Sequence, residues 1–272
     1  MNDRFLPTPI ASVIGKLGRI DPGILANLPQ CYRLTSIERL PVEKGYFHRA
    51  NLFHEQAAMT VSWTSRHPDT TLTRHCLVSI RWCLHAKDCV GGDLPIARLV
   101  RLDRPMPAMN LFETIPTYWV SDRDLVSRCR NLWEKLPKEF QHLFNGIFWD
   151  GHRFERYLTG PSSLNGHHNV RNGNFRHCLE VAEQALLNGA PYPTTFPPVL
   201  ILAGLLHDAG KADEYVFDSS RQRYAMSERG QLIDHKQIIW SGSRRLSPVQ
   251  RRHSRHALSV ANSCADRIYI FS

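Results

Sequence analysis

The stretch from Pro198 to Lys211, reading Pro-Val-Leu-Ile-Leu-Ala-Gly-Leu-Leu-His-Asp-Ala-Gly-Lys, constrains this chain more than any other. Pro198 suits the first turn of a helix, and Val199 to Leu206 are apolar or small on every side. A helix of that kind is buried around its whole circumference, so it requires a domain large enough to surround it. His207 and Asp208 come where the helix ends. Burying an imidazole and a carboxylate is costly unless they are paired or metal-bound, and together they suit a divalent transition metal. The same residues also fit an ordinary helix C-terminus, with Gly210 as the C′ residue and Lys211 favourable against the helix dipole. The two readings are compatible, and the rest of the chain has to supply partners.

The 272-residue sequence is long enough for one large domain or two ordinary ones. Its composition, 42% hydrophobic and 22% charged, is that of a globular protein. The net charge of +9 leans toward a polyanionic or phosphate-bearing partner. Seven cysteines, an odd number with no CxxC pair, suggest neither a disulfide framework nor a zinc ribbon. Free thiols in a reducing cytoplasm are the simplest expectation. The N-terminus lacks the apolar core of a signal peptide, and no stretch is long enough for a transmembrane helix. The expected location is therefore cytoplasmic, with no membrane partner.

Taken in order, residues 1–30 read as a Pro- and Gly-containing arm with one short helix near Ile10–Leu17. Residues 31–105 then show five β-like segments: Cys31–Leu40, Tyr46–His54, Met59–Ser65, Cys76–Leu84 and Leu94–Leu102. Met59-Thr60-Val61-Ser62-Trp63 alternates apolar and polar side chains, as a half-buried strand does. Five short strands suit a small barrel of the OB type, which binds single-stranded nucleic acid through basic grooves and aromatic platforms. Trp63 and Trp82 sit at alternating strand positions and are expected in the core. Tyr46 and Phe47, next to the turn at Pro41–Gly45, are the candidates for exposed stacking, with Arg49 beside them. Residues 106–120 read as a Pro-containing linker.

From 121 to 272 the pattern is helical, giving an α+β multi-domain chain overall. Ser121 is a candidate N-cap for a helix carrying Leu125, Cys129, Leu132, Trp133 and Leu136 at helical spacing. Further helices are expected over Lys138–Trp149, Phe154–Thr159 and Phe175–Leu187. Between the last two lies a breaker-rich loop presenting His167-His168. His177 sits near the start of one helix and His207-Asp208 near the end of the next. Two antiparallel helices joined by a turn bring those ends together, so His177, His207 and Asp208 can converge on one point.

His177 with His207-Asp208 resembles the pattern of the HD phosphohydrolase superfamily, all-helical metalloenzymes that cleave phosphoester bonds. The order of motifs is similar to the YhaM-type 3′-to-5′ exoribonucleases, in which an OB domain precedes the HD domain. The residues that carry the likeness span roughly 150–240: Pro161-Ser162-Ser163, His167-His168, Gly173-Asn174, His177, His207-Asp208-Ala209-Gly210-Lys211, Tyr224, and Gly230-Gln231-Leu232-Ile233-Asp234-His235. The resemblance implies a metal held by His177, His207 and Asp208, with His235 as a further ligand or phosphate contact. It implies that Lys211 neutralises phosphate charge and that His168, together with His167, faces the substrate phosphate. The implied metal is a divalent transition ion: manganese, iron, cobalt or nickel, with manganese favoured.

The likeness departs in two places. Asn174 stands where the family has a second turn glycine, a change that asparagine's tolerance of positive φ makes mild. Toward the C-terminus, Arg251-Arg252-His253-Ser254-Arg255-His256 matches the start of a second histidine region. Asp266 then follows His256 more closely than the family pattern leads one to expect, and Ser259–Ser272 ends the sequence. A shortened relative is implied, in which Asp266 and His256 either complete the metal site or leave it one ligand short. The leading expectation is a 3′-to-5′ exonuclease on single-stranded RNA or DNA. The alternatives are a catalytically degenerate nucleic-acid-binding HD protein, an HD-type relaxase-like protein of a conjugative element, and a nucleotide-specific phosphohydrolase.

Overall fold

A computed structural model describes residues 27–83, 93–106, 109–192 and 196–232. Within them the chain forms two compact units. One comprises 27–103 with 113–116, and the other 104–112 with 117–232. The N-terminal helix expected near Ile10–Leu17 lies outside the described residues. Among the described residues no helix is long and apolar enough to cross a membrane.

The first unit is a closed five-stranded barrel. Its strands are β1 (Tyr32–Val42), β2 (Gly45–His54), β3 (Ala57–Ser65), β4 (Leu77–Trp82) and β5 (Leu94–Arg101), in the order β1-β2-β3-β5-β4. All neighbours are antiparallel except β3 and β5, and β1 closes the ring on β4 through Tyr32 and Arg33. A register shift between Leu34 and Ser36 marks an irregularity on β1, the kind of bend that lets one strand serve two neighbours in a small barrel. Alternation places Ala57, Met59, Val61 and Trp63 inside, with Leu34, Leu52, Val78, Ile96 and Leu99 completing the core. Trp63 is thus a core residue, as the alternation predicted, and Trp82 packs half-buried against the same cluster. The architecture is consistent with an OB-like barrel.

Several barrel arginines serve the fold rather than the surface. Arg33 is fully buried and donates to the His75 carbonyl at 2.9 Å, to Thr114 Oγ1 at 2.7 Å and to the Thr114 carbonyl at 3.5 Å. These bonds, with the Glu55 amide donating to the Glu113 carbonyl at 2.7 Å, tie residues 113–116 to the barrel. Arg39 donates to the carbonyls of Asp69 and Leu72, and Arg101 to that of Thr71, so the β3–β4 connection is pinned from two strands. A buried guanidinium is tolerable because carbonyl and hydroxyl acceptors replace its water.

The second unit contains α1 (Arg123–Glu134), α2 (Lys138–Phe148), α3 (Gly151–Thr159), α4 (Gly173–Gly189), α5 (Pro197–Leu206), α6 (Lys211–Glu214) and α7 (Glu228–Leu232). It is not all-α: β6 (Tyr215–Asp218) and β7 (Arg223–Met226) form an antiparallel hairpin between α6 and α7. The hairpin was hidden in sequence because each strand has only four residues, too short for a period-2 signal to stand out. Asp122, not Ser121, caps α1, accepting the Leu125 amide at 3.1 Å. Asp150 caps α3. Residues 106–120, expected as a linker, contribute the fully buried Leu111, Phe112, Trp119 and Val120 to this unit. Phe112, Phe144, Phe148, Phe154, Tyr157 and Phe175 form a contiguous aromatic core, with ring centroids from 4.4 to 6.5 Å apart.

Arg33→Ala removes the donor for three buried acceptors and leaves a void, and is expected to cost roughly 2–4 kcal/mol in urea unfolding. The exposed Arg98→Ala should stay within about 0.5 kcal/mol of wild type. Equal losses for the two variants would show that Arg33 does not secure the barrel.

Candidate metal centre

The centre is built where α4 begins and α5 ends. α5 is apolar all round and its residues Ile201 to Leu206 are buried, as the sequence predicted. It packs against α4 at Gly204, where an added Cβ would lie 2.3 Å from Ala182 Cα. Only glycine permits backbones that close. Beyond Leu206 the chain continues through tight turns instead of stopping at a left-handed glycine. The Ala209 amide donates to the Leu206 carbonyl, Lys211 to Asp208 and Asp213 to Gly210, each from the third residue back. Gly210, expected as the C′ residue, has φ −66 and leads directly into α6. The Leu205 carbonyl, left over at the helix end, accepts the Tyr157 hydroxyl at 2.8 Å.

The start of α4 is fixed with equal care. Asn172 precedes it at φ 63 and donates through Nδ2 to the carbonyls of Leu158 and Trp119. Gly173 follows in close contact with the His168 carbonyl, which an added Cβ would approach to 2.0 Å. The left-handed residue of this turn is therefore Asn172. Asn174, expected to accept positive φ, instead lies in the first turn of α4, buried, with Nδ2 donating to the Tyr157 carbonyl at 3.2 Å.

These elements bring His177, His207 and Asp208 together, with one donor atom from each lying within 4.8 Å of the others. Asp208 Oδ2 is 3.7 Å from His177 Nε2 and 3.5 Å from His207 Nε2. His207 Nδ1 lies 2.8 Å from the Gly204 carbonyl. A carbonyl only accepts, so Nδ1 carries the proton of that bond and Nε2 is the ring atom turned toward Asp208. Burial, reinforced by the neighbouring His207, lowers the His177 pKa to about 4, so this ring is neutral at physiological pH. The adjacent Cys178 is held as a thiol, its pKa raised by burial and then by the Asp208 carboxylate, which leaves it a poor metal ligand. Two imidazoles and a carboxylate are a fitting donor set for a divalent transition metal.

Lys211 Nζ stands 3.5 Å from Asp208 Oδ2 and donates to the Ser162 carbonyl. His168, at φ 57, brings its ring to 5.5 Å from that of His177, and its Nε2 is 3.1 Å from Glu180 Oε2. His168, His177 and Glu180 form a second set of candidate metal donors sharing His177. Glu180 was missed in sequence. Its spacing of one helical turn from His177 was the available signal.

The expected residues thus divide. His168, His177, His207, Asp208 and Lys211 converge. His167 is exposed and belongs to neither donor set. Tyr46 and Phe47, expected to be exposed platforms, are half-buried on β2, and Arg49 is engaged by Asp93 in a bidentate pair at 2.8 and 3.1 Å. His235, His256 and Asp266 lie outside the described residues. No protein-family model, curated protein or solved structure matches the chain, so the chemistry rests on the site's own geometry.

Because the unfolded chain protonates His177 near 6.5 and the folded chain only near 4, the folded state binds fewer protons in that window. Stability contributed by the neutral ring is therefore lost as pH falls from 6.5 toward 4. In chelator, the stability advantage of wild type over His177→Gln should shrink across this interval when followed by urea unfolding. Parallel curves for the two proteins would contradict a neutral, buried His177.

Proposed function

We propose that the protein is a metal-dependent phosphodiester hydrolase acting on single-stranded nucleic acid, trimming nucleotides from the 3′ end. The observation that carries this is the convergence of His177, His207 and Asp208 within 4.8 Å, with the Lys211 ammonium 3.5 Å from Asp208 Oδ2. His177, His207 and Asp208 would hold the ion, manganese being favoured over iron, cobalt or nickel. Such an ion supplies Lewis-acid polarisation of a phosphoryl oxygen and makes water acidic enough to attack near neutral pH.

The chain's own residues supply the rest. Lys211, fixed between Asp208 and the Ser162 carbonyl, offers positive charge to a phosphate seated at the triad. His168, oriented by Glu180 and 5.5 Å from the His177 ring, offers that phosphate a hydrogen bond. Water adds to phosphorus, the bond to the leaving oxygen breaks, that oxygen takes a proton, and a nucleoside monophosphate departs. The sequence likeness to YhaM-type exoribonucleases supports the same class.

The barrel favours a polyanionic substrate through a different pair of residues from those expected. Arg81 on β4 and Arg98 on β5 are directly opposed and both exposed. Among the described residues neither meets a carboxylate within ion-pair distance. Like charges facing each other across two strands are destabilising, and a phosphate backbone relieves that repulsion. The OB-type assignment belongs to this proposal, as the fold in which such a surface binds a single strand.

Purified protein with manganese should shorten a labelled single-stranded oligonucleotide, and Asp208→Ala should lower the rate at least about a hundredfold while reducing bound manganese measured by elemental analysis. Undiminished hydrolysis by Asp208→Ala would overturn the metal assignment. Tight, salt-sensitive binding without turnover in wild type would favour a nucleic-acid-binding protein without catalysis.

A further inference from the structure

Beside the triad the second unit carries a cavity of about 1000 Å³ that none of His177, His207 and Asp208 lines. Its floor is the end of α3, one wall is the 160–171 loop, and the other is the β6–β7 hairpin. Lys211 belongs to both places: its ammonium is 3.5 Å from Asp208 Oδ2, and its side chain lines the cavity. Lys211 is thus the residue through which the cavity adjoins the triad.

Its lining is specific in two respects. The charge is positive, with Arg156, Arg171, Lys211 and Arg223 against a single carboxylate, Glu155. Arg156 is compensated, since it also pairs with Asp213 at 2.9 Å. Arg171 and Arg223 are exposed side chains. The second respect is aromatic. Phe217 and Tyr224 are cross-strand partners on the hairpin, with ring centroids 5.2 Å apart and planes at 69°. Tyr224 is anchored, its hydroxyl donating to the Thr159 carbonyl at 2.7 Å. Phe217 is braced edge-on by that fixed ring, yet remains 49% exposed. Arg171 also donates to the Tyr118 carbonyl at 2.9 Å, and Arg223 is the cross-strand partner of Asp218. An exposed phenyl ring braced by an anchored tyrosine, with cationic side chains on the same lining, is the kind of surface that accepts a stacked base beside a phosphate backbone. The volume stands at the upper end of the range for one small ligand.

From this geometry we infer that the cleft under the β6–β7 hairpin is the subsite for the 3′ end of a single strand, the terminal base stacked on Phe217 and the backbone phosphates of the preceding nucleotides met by Arg171 and Arg223. The inference rests on the hydrolase reading above and names the recognition element that reading lacks. Lys211 links the two, touching the phosphate at which the subsite ends and the triad begins.

Binding of short fluorescein-labelled single strands, RNA and DNA, is measured by fluorescence anisotropy with the full chain in chelator, so that no turnover occurs. Phe217→Ala should weaken binding about tenfold, within the range that one base–aromatic stack contributes, and Phe217→Trp should restore it. A strand whose 3′-terminal residue is abasic should bind wild type about tenfold more weakly, and Phe217→Ala should then add no further loss. Arg223→Gln should lower the salt dependence by roughly one phosphate contact. The subsite is overturned if Phe217→Ala binds like wild type, if its loss persists on the abasic strand, or if wild type binds neither strand. Because the cycle needs no hydrolysis, it fails or succeeds independently of the manganese-dependent activity.

Discussion

Everything chemical in the second unit depends on how closely α4 and α5 approach. Gly204 against Ala182 sets that distance, since a side chain on Gly204 would occupy the space of the α4 backbone. Helices separated by larger side chains sit about 8–10 Å apart, and the ends of two helices move with their axes. His177 belongs to one helix, while His207 and Asp208 belong to the other. Any separation at Gly204 therefore opens the triad directly. Gly204 has a second part in the same arrangement, because its carbonyl lies 2.8 Å from His207 Nδ1. One residue thus fixes both the spacing of the helices and the tautomer of a candidate ligand.

Much of this was legible in the sequence, and for a physical reason. A run such as Val199–Leu206 has no polar face, so its burial is settled without knowing its neighbours. Antiparallel packing of consecutive helices then follows from the short connection, which is why His177 could be assigned to His207-Asp208. The barrel strands were visible through alternation, most plainly at Met59–Trp63. What stayed hidden depends on contacts between residues remote in sequence. Arg33 reads as one more basic residue until Thr114 and His75 are seen around it. Arg49 reads as a free cation until Asp93 is placed beside it. The turn before α4 was misjudged by two residues, because Asn172 and Asn174 are chemically identical. Only the carbonyls of Trp119 and Leu158 select Asn172 for the left-handed position.

The distribution of arginines bears on how the net charge of +9 should be understood. Arg33, Arg39 and Arg101 are bound to backbone carbonyls, and Arg128 is paired with Glu183 at 2.5 Å. Arg153 and Arg156 share Asp213, which locks α6 to α3. The total charge is thus a poor guide to where an anion would sit. Among the described residues, Arg81 and Arg98 oppose each other on the barrel, and Arg171, Arg223 and Lys211 line the hairpin cleft, where Arg171 also donates to the Tyr118 carbonyl at 2.9 Å. Of these, Lys211 stands 3.5 Å from Asp208 Oδ2, within the candidate metal centre.

The loop between α3 and α4 connects that centre to the cleft. Ser162 receives the Lys211 ammonium, and the Ser162 amide donates to the His168 carbonyl at 2.9 Å. The same carbonyl lies against Gly173, at the start of the helix that carries His177. The far side of the loop, at Leu164, Asn169 and Arg171, faces the cleft. A ligand pressing on that side meets a segment whose other contacts are Lys211, His168 and the first turn of α4. On the function proposed above, recognition of a strand and placement of the groups that act on its phosphate are properties of one short piece of chain. This also accounts for its composition: Gly173, for which a side chain has no room, and His168 and Asn172, both in left-handed backbone, are needed to carry the chain through so tight a path.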